Sequence, residues 1–99
     1  MSPALVLRKA AFDDIETTEG WYEGREPGLG GRFVEAVERT LTLIEENPRA
    51  YPVVENTIRR AVVRTFPYSV FYVVEDDDRV VVLAVFHQAV SPSRVSKRL

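Results

Sequence analysis

Cysteine is absent from this chain, which excludes a disulfide framework and any cysteine-ligated zinc site and fits a reducing compartment. Long hydrophobic runs are absent as well. The longest, Val80 to Phe86, has seven residues, against the roughly 20 that a membrane helix needs. The N-terminus, Met1-Ser2-Pro3-Ala4-Leu5-Val6-Leu7-Arg8, offers four apolar residues before a charge, too few for the core of a secretory signal peptide. A cytoplasmic location with no membrane partner is therefore expected. There is no repeat, no low-complexity stretch and no long tail of one charge, so the composition is not that of a disordered chain.

What is present fits one small domain spanning 1–99. A hydrophobic share of 45% is enough for a single core. A chain of this length buries only about 60–65% of the surface its unfolded form exposes, so its stability margin is thin. The net charge of −2 argues against nucleic-acid binding by the chain alone, but the charges are unevenly placed. Residues 1–58 carry six Lys/Arg and eleven Asp/Glu (−5); residues 59–99 carry seven and four (+3). Two readings stand: a charged working face on one side of a two-layer domain, or the solvation of two exposed faces.

Along the chain, residues 4–8 predict a short strand. From about Ala10, Phe12, Ile15, Glu19 and Tyr22 recur at helical spacing, with Asp13 and Asp14 expected in the first turn, where the helix dipole favours acids. Gly24 and Pro27-Gly28 stop this helix. Phe33, Val37, Leu41 and Ile44 then step along one stripe of a second helix that ends at Asn47-Pro48. The short link predicts an antiparallel hairpin. After Pro52 the period falls to two, and Ile58–Thr65, Tyr68–Glu75 and Arg79–His87 predict three strands in a meander, turned by Pro67 and by Asp76-Asp77-Asp78. The last strand is apolar on both faces, so it is central and covered twice, once by the hairpin and once by the C-terminal tail or a partner. The expected class is α+β: an N-terminal strand, then an antiparallel helical hairpin packed on a small, mostly antiparallel sheet, in the order β-α-α-β-β-β.

Three motifs follow one another: Asn47-Pro48-x-x-Tyr51-Pro52; Arg59-Arg60-x-x-Val63-x-x-Phe66-Pro67-Tyr68-x-x-Phe71-Tyr72; and Val82-Leu83-Ala84-Val85-Phe86-His87-Gln88. In this order and spacing the chain resembles the RelE/ParE toxins of type II toxin–antitoxin systems, from the N-terminal strand to about Pro92. The resemblance implies a toxin neutralised by a cognate, ParD-like antitoxin in a hetero-oligomer. RelE-like members cleave mRNA on the ribosome, and ParE-like members poison DNA gyrase. Many members carry His-x-x-Arg-Asp-Pro after the last strand. Here the stretch is His87-Gln88-Ala89-Val90-Ser91-Pro92, without the arginine and aspartate, and Val90 is closer to the ParE branch.

The candidate target- or antitoxin-binding residues are Arg60, Arg64, His87 and Arg94, with the apolar stripe Phe33, Val37 and Leu41. Period two puts Arg60 and Arg64 on one face with Val62, about 7 Å apart, suited to phosphates or carboxylates, or to solvating the sheet. His87 either contacts a target or shuttles a proton, or else donates to a backbone carbonyl and anchors the tail. Trp21 and Tyr22 are expected in the hairpin packing, and Tyr51, Tyr68 and Tyr72 as packing residues with one wet end. The Gly28, Gly30, Gly31 segment lacks the spacing of a phosphate loop. Three consecutive aspartates cannot converge on one ion, so neither metal nor cofactor is expected.

Cleavage at a ribose 2′-hydroxyl needs a base, an acid and a cation for the developing charge. The two lysines, Lys9 and Lys97, sit near the chain ends, and no tyrosine follows Tyr72. Arginine cannot serve as the base. A gyrase-binding poison without catalytic residues is thus expected ahead of a ribosome-dependent nuclease. A degenerate member that binds its antitoxin without harm is a third reading.

Overall fold

The computed structural model describes residues 4–99; Met1-Ser2-Pro3, part of the signal-peptide argument, lie outside the described residues. The elements are β1 (Leu5–Leu7), α1 (Lys9–Arg25), α2 (Leu29–Glu46), β2 (Val53–Glu55), β3 (Ile58–Val62), β4 (Tyr68–Val74), β5 (Val80–His87) and a C-terminal 3-10 helix (Pro92–Arg98). The five strands form one sheet in the order β1-β5-β4-β3-β2. β1 runs parallel to β5 and the other pairs are antiparallel. The α+β class and the helical hairpin on a mostly antiparallel sheet are as the sequence predicts.

Three details differ. β2 is an additional strand, three residues long, paired irregularly with β3 at the sheet edge. Its residues sit between Pro52 and a turn in which Asn56 has φ of 51°, and three residues are too few to show a period. β3 ends at Val62 rather than Thr65, because Thr65 takes a left-handed φ of 68°, uncommon for a β-branched residue. α1 begins at Lys9, so Asp13 and Asp14 stand beyond its first turn. Asp13 pairs with Lys9 at 2.9 Å, and Asp14 reaches across to the sheet.

The hairpin packs closely because of two residues. Gly30 sits where a Cβ would meet the carbonyl oxygen of Glu19 at 2.6 Å, so only glycine lets the helices approach this near. The Glu23 carboxylate accepts the N–H groups of Gly28 and Gly30 at 2.9 and 3.0 Å, which satisfies donors that the start of α2 leaves without helical partners. From α2, Phe33, Ala36, Val37, Thr40 and Ile44 are buried; from α1, Ala11, Ile15 and Thr18. They meet Ala61, Val63, Val70, Tyr72, Val80, Val82 and Val85 of the sheet and its β3–β4 link.

β5 carries a bulge. Phe71 pairs with Ala84 and Tyr72 with Val82, leaving Leu83 as the extra residue. Before the bulge Val80 and Val82 face the helices, and after it Val85 does. Leu83, Ala84 and Phe86 face the other side with Ile58, Phe71 and Val81. The C-terminal 3-10 helix lies over that side and buries Val95 completely. The second cover of the central strand is therefore the chain's own tail.

Candidate functional site

The predicted contact residues are spread over the core, two grooves, the sheet and the tail. Phe33 and Val37 are enclosed in the hairpin–sheet core at 0% and 1% exposure, which corrects their assignment to a docking stripe. A stripe at this spacing marks the face a helix buries, and here that face is turned to its own sheet. Leu41 is half-buried. It lines a small, mostly apolar cavity of about 160 Å³ with Leu7, Phe12, Ile15, Val34 and Glu38. Phe12, 48% exposed, forms the open side of this groove rather than part of the core.

Arg60 and Arg64 are not a matched pair. Arg60 is half-buried within β3, whereas Arg64 lies past the strand end and is exposed. Four residues of extended chain advance about 13 Å, so the 7 Å spacing expected for them is corrected as well. Arg60 shares strand parity with Ile58, so it belongs to the side that the tail covers. Arg94 is exposed on the tail itself, and Val62 beside Arg60 is 53% exposed.

His87 ends β5 at the surface. Its Nδ1 accepts the N–H of Ala89 at 2.9 Å, and its backbone carbonyl accepts the N–H of Val90 at 2.9 Å. It does anchor the start of the tail, but as an acceptor rather than as the donor expected. A ring whose Nδ1 accepts carries its proton on Nε2 in the neutral form. Tyr68 stands edge-on to the imidazole, with centroids 5.3 Å apart. Both line a cavity of about 540 Å³ with Thr17, Thr18, Trp21, Tyr22 and Pro67. Trp21 is 53% exposed, against the expectation of hairpin packing, and the Arg25 guanidinium lies 4.4 Å from its ring centroid. Tyr22 is half-buried among Phe33, Phe66 and Tyr68. Burial, reinforced by Tyr68, raises the Tyr22 phenol above its ordinary pKa.

Two arginines with no part in the sequence-based site hold the surfaces in place. Arg59 donates to the carbonyls of Tyr51 and Arg49 at 2.6 and 3.2 Å and fixes the loop after α2. Arg98 binds Asp14 on α1. Tyr72 has no wet end, because its hydroxyl donates to the Pro48 carbonyl at 2.6 Å and its ring is buried. Period two does set Arg59 opposite Arg60, which was a usable signal; nothing local marks Arg98. The aspartates 76–78 form the β4–β5 turn. Asp78 has φ of 64° and binds Arg49, and Asp77 accepts the N–H of Arg79. Among the described residues, no cluster of His, Cys, Asp or Glu could hold a metal, and no helix is long and apolar enough to cross a membrane.

The arrangement defines a small α+β domain whose candidate sites are grooves beside a helical hairpin. The model of the ParE toxin of type II toxin-antitoxin system, parDE, matches residues 5–92. The chain belongs to this family. No curated protein matches the sequence. Among solved structures, the chromosomal ParDE TA system from P. aeruginosa contains a chain with the same fold. The TM-score is 0.64 at 13% identity, covering 87% of this chain and 96% of that one.

Proposed function

We propose that this ParE-family toxin acts in the cytoplasm by binding DNA gyrase without catalysing a reaction, and that a cognate ParD-like antitoxin neutralises it in a hetero-oligomer. The groove between α1, α2 and β1 carries the antitoxin part of this reading. Phe12 and Leu41 are apolar and reachable there, and the cavity between them suits the ridge of an amphipathic helix. An antitoxin helix in this groove, with an extended tail running on towards the sheet, would bury more than about 1,200 Å².

The gyrase part rests on His87. Its Nδ1 is engaged by Ala89 and its ring is braced by Tyr68, so the imidazole is a fixed hydrogen-bonding group beside apolar neighbours. Arg98, one of the three cations of the tail, is committed to Asp14. These features favour recognition over acid–base chemistry. Expression of the chain alone should arrest growth, and co-expression of the protein encoded beside its gene should restore growth and co-purify with it. Growth unaffected by the chain alone would contradict the proposal.

A further inference from the structure

Consecutive residues of an α-helix are rotated by about 100°, so Phe12 and Trp21, nine positions apart in α1, project from opposite flanks. The two flanks differ in charge. Glu16, Glu19 and Glu23 lie on the side of Phe12. On the other flank stand Ala10, Asp14, Thr17, Trp21 and Arg25. The one carboxylate there, Asp14, is taken by Arg98 and the Val85 N–H. Arg25 binds no carboxylate among the described residues, and it rests on the Trp21 ring. The groove beside this flank is walled by Trp21, Tyr22, Tyr68 and Pro67, with His87 at its edge. The imidazole, with Nδ1 occupied, has Nε2–H to donate.

We propose that this aromatic groove is the docking site for the toxin's protein target, separate from the antitoxin groove. The inference rests on the toxin reading above. The occupant is an extended acidic segment that places an apolar side chain between Trp21 and Tyr68. A carboxylate of the segment meets Arg25, and a carbonyl accepts from His87 Nε2–H. Exposed Trp21 and Arg25 beside half-buried Tyr22 and Tyr68 make the composition of an interface hot spot. The charge complementarity is one-sided: a free cation and an N–H donor, with the flank's own carboxylate already paired. Rings of this kind also stack nucleobases, but a nucleic-acid strand needs a row of cations along its phosphates, and this flank offers Arg25 alone.

Two measurements test the site. In the first, wild-type chain, W21A and R25E are expressed without antitoxin, and each is purified to measure antitoxin affinity. Wild type should arrest growth, while both variants should not. Both should bind antitoxin within about twofold of wild type, as expected of a site that shares no partner with the other groove. Variants that arrest growth like wild type overturn the site, and so does a parallel loss of antitoxin binding. A wild-type chain that leaves growth unaffected counts against the toxin reading itself.

In the second, fluorinated tryptophan is placed at Trp21, the single tryptophan of the chain, and fluorine NMR is recorded with three probes. Purified DNA gyrase should move the resonance, whereas antitoxin and oligothymidylate should leave it in place. Movement with oligothymidylate assigns the groove to nucleic acid and overturns the proposal. An unmoved resonance with bound gyrase also overturns it.

Discussion

Asp14 and Arg98 stand 84 positions apart and join α1 to the end of the chain through two N–H donations, at 2.7 and 3.2 Å. The same guanidinium donates to the Leu83 carbonyl at 3.0 Å and lies 4.7 Å from the Phe86 ring centroid. Asp14 also accepts the N–H of Val85 at 3.0 Å. β1 pairs with β5 only from Val80 to Val82, so these two side chains close the edge that β1 leaves open. The bulge at Leu83 helps to set Leu83 and Val85 in reach of them. Because the pair is partly buried, Arg98→Ala should lower stability by about 2–4 kcal/mol. Urea unfolding would show this as an earlier midpoint. A loss below about 0.5 kcal/mol would place the pair among ordinary surface bridges.

Burial pushes the Tyr72 phenol up to about 12 from 10.0. The buried ring and its donation to Pro48 make ionisation costly in the fold. The unfolded chain ionises near 10, so between about pH 10 and 12 the native state holds more protons than the unfolded state. Stability is therefore fully present below about pH 10 and falls through this window by roughly 2–3 kcal/mol. Tyr72→Phe should lose the Pro48 hydrogen bond and flatten this alkaline limb, as chemical denaturation at several pH values would show.

Gly30→Ala should cost about 1–3 kcal/mol, since its Cβ would press on the Glu19 backbone, which cannot swing aside. Gly20→Ala in α1 is the control. Nothing lies within 4 Å of a Cβ there, and the change should stabilise by about 0.5–1 kcal/mol. Equal shifts in melting temperature for the two would contradict the close approach of the helices.

Phe12→Ala should weaken antitoxin binding by about 10- to 100-fold and change the stability of the free chain by less than about 1 kcal/mol. Calorimetric titration with the antitoxin checks the first and urea unfolding the second. Unaltered affinity would move the antitoxin off the α1–α2 groove.

The layers were legible in the sequence because each rests on a period. The step from Phe33 to Ile44 foretold a buried helical face, and the apolar run Val80–Phe86 foretold a strand covered twice. The functional consequence drawn from the stripe did not follow, since burial against the chain's own sheet and burial against a partner leave the same pattern. Trp21 went the other way. Its neighbour Tyr22 holds the core position, and a helix turned by one residue exchanges packing for exposure. Arg98 was illegible for a different reason: its partner, Asp14, is remote in sequence, and the bulge that creates the need for both side chains has no local mark. His87 was correctly placed at the start of the tail, yet the direction of its hydrogen bond depends on the turn through Ala89.

Gyrase binding by the toxin is measured with purified components. The chain is added to DNA gyrase, ATP and relaxed plasmid, and supercoiling and gyrase-linked DNA breaks are followed on gels, with and without antitoxin. The predicted result is lost supercoiling with accumulated gyrase–DNA complexes, both relieved by antitoxin. The contradicting result is untouched gyrase alongside codon-position cuts in the mRNA of translating ribosomes that vanish in His87→Ala.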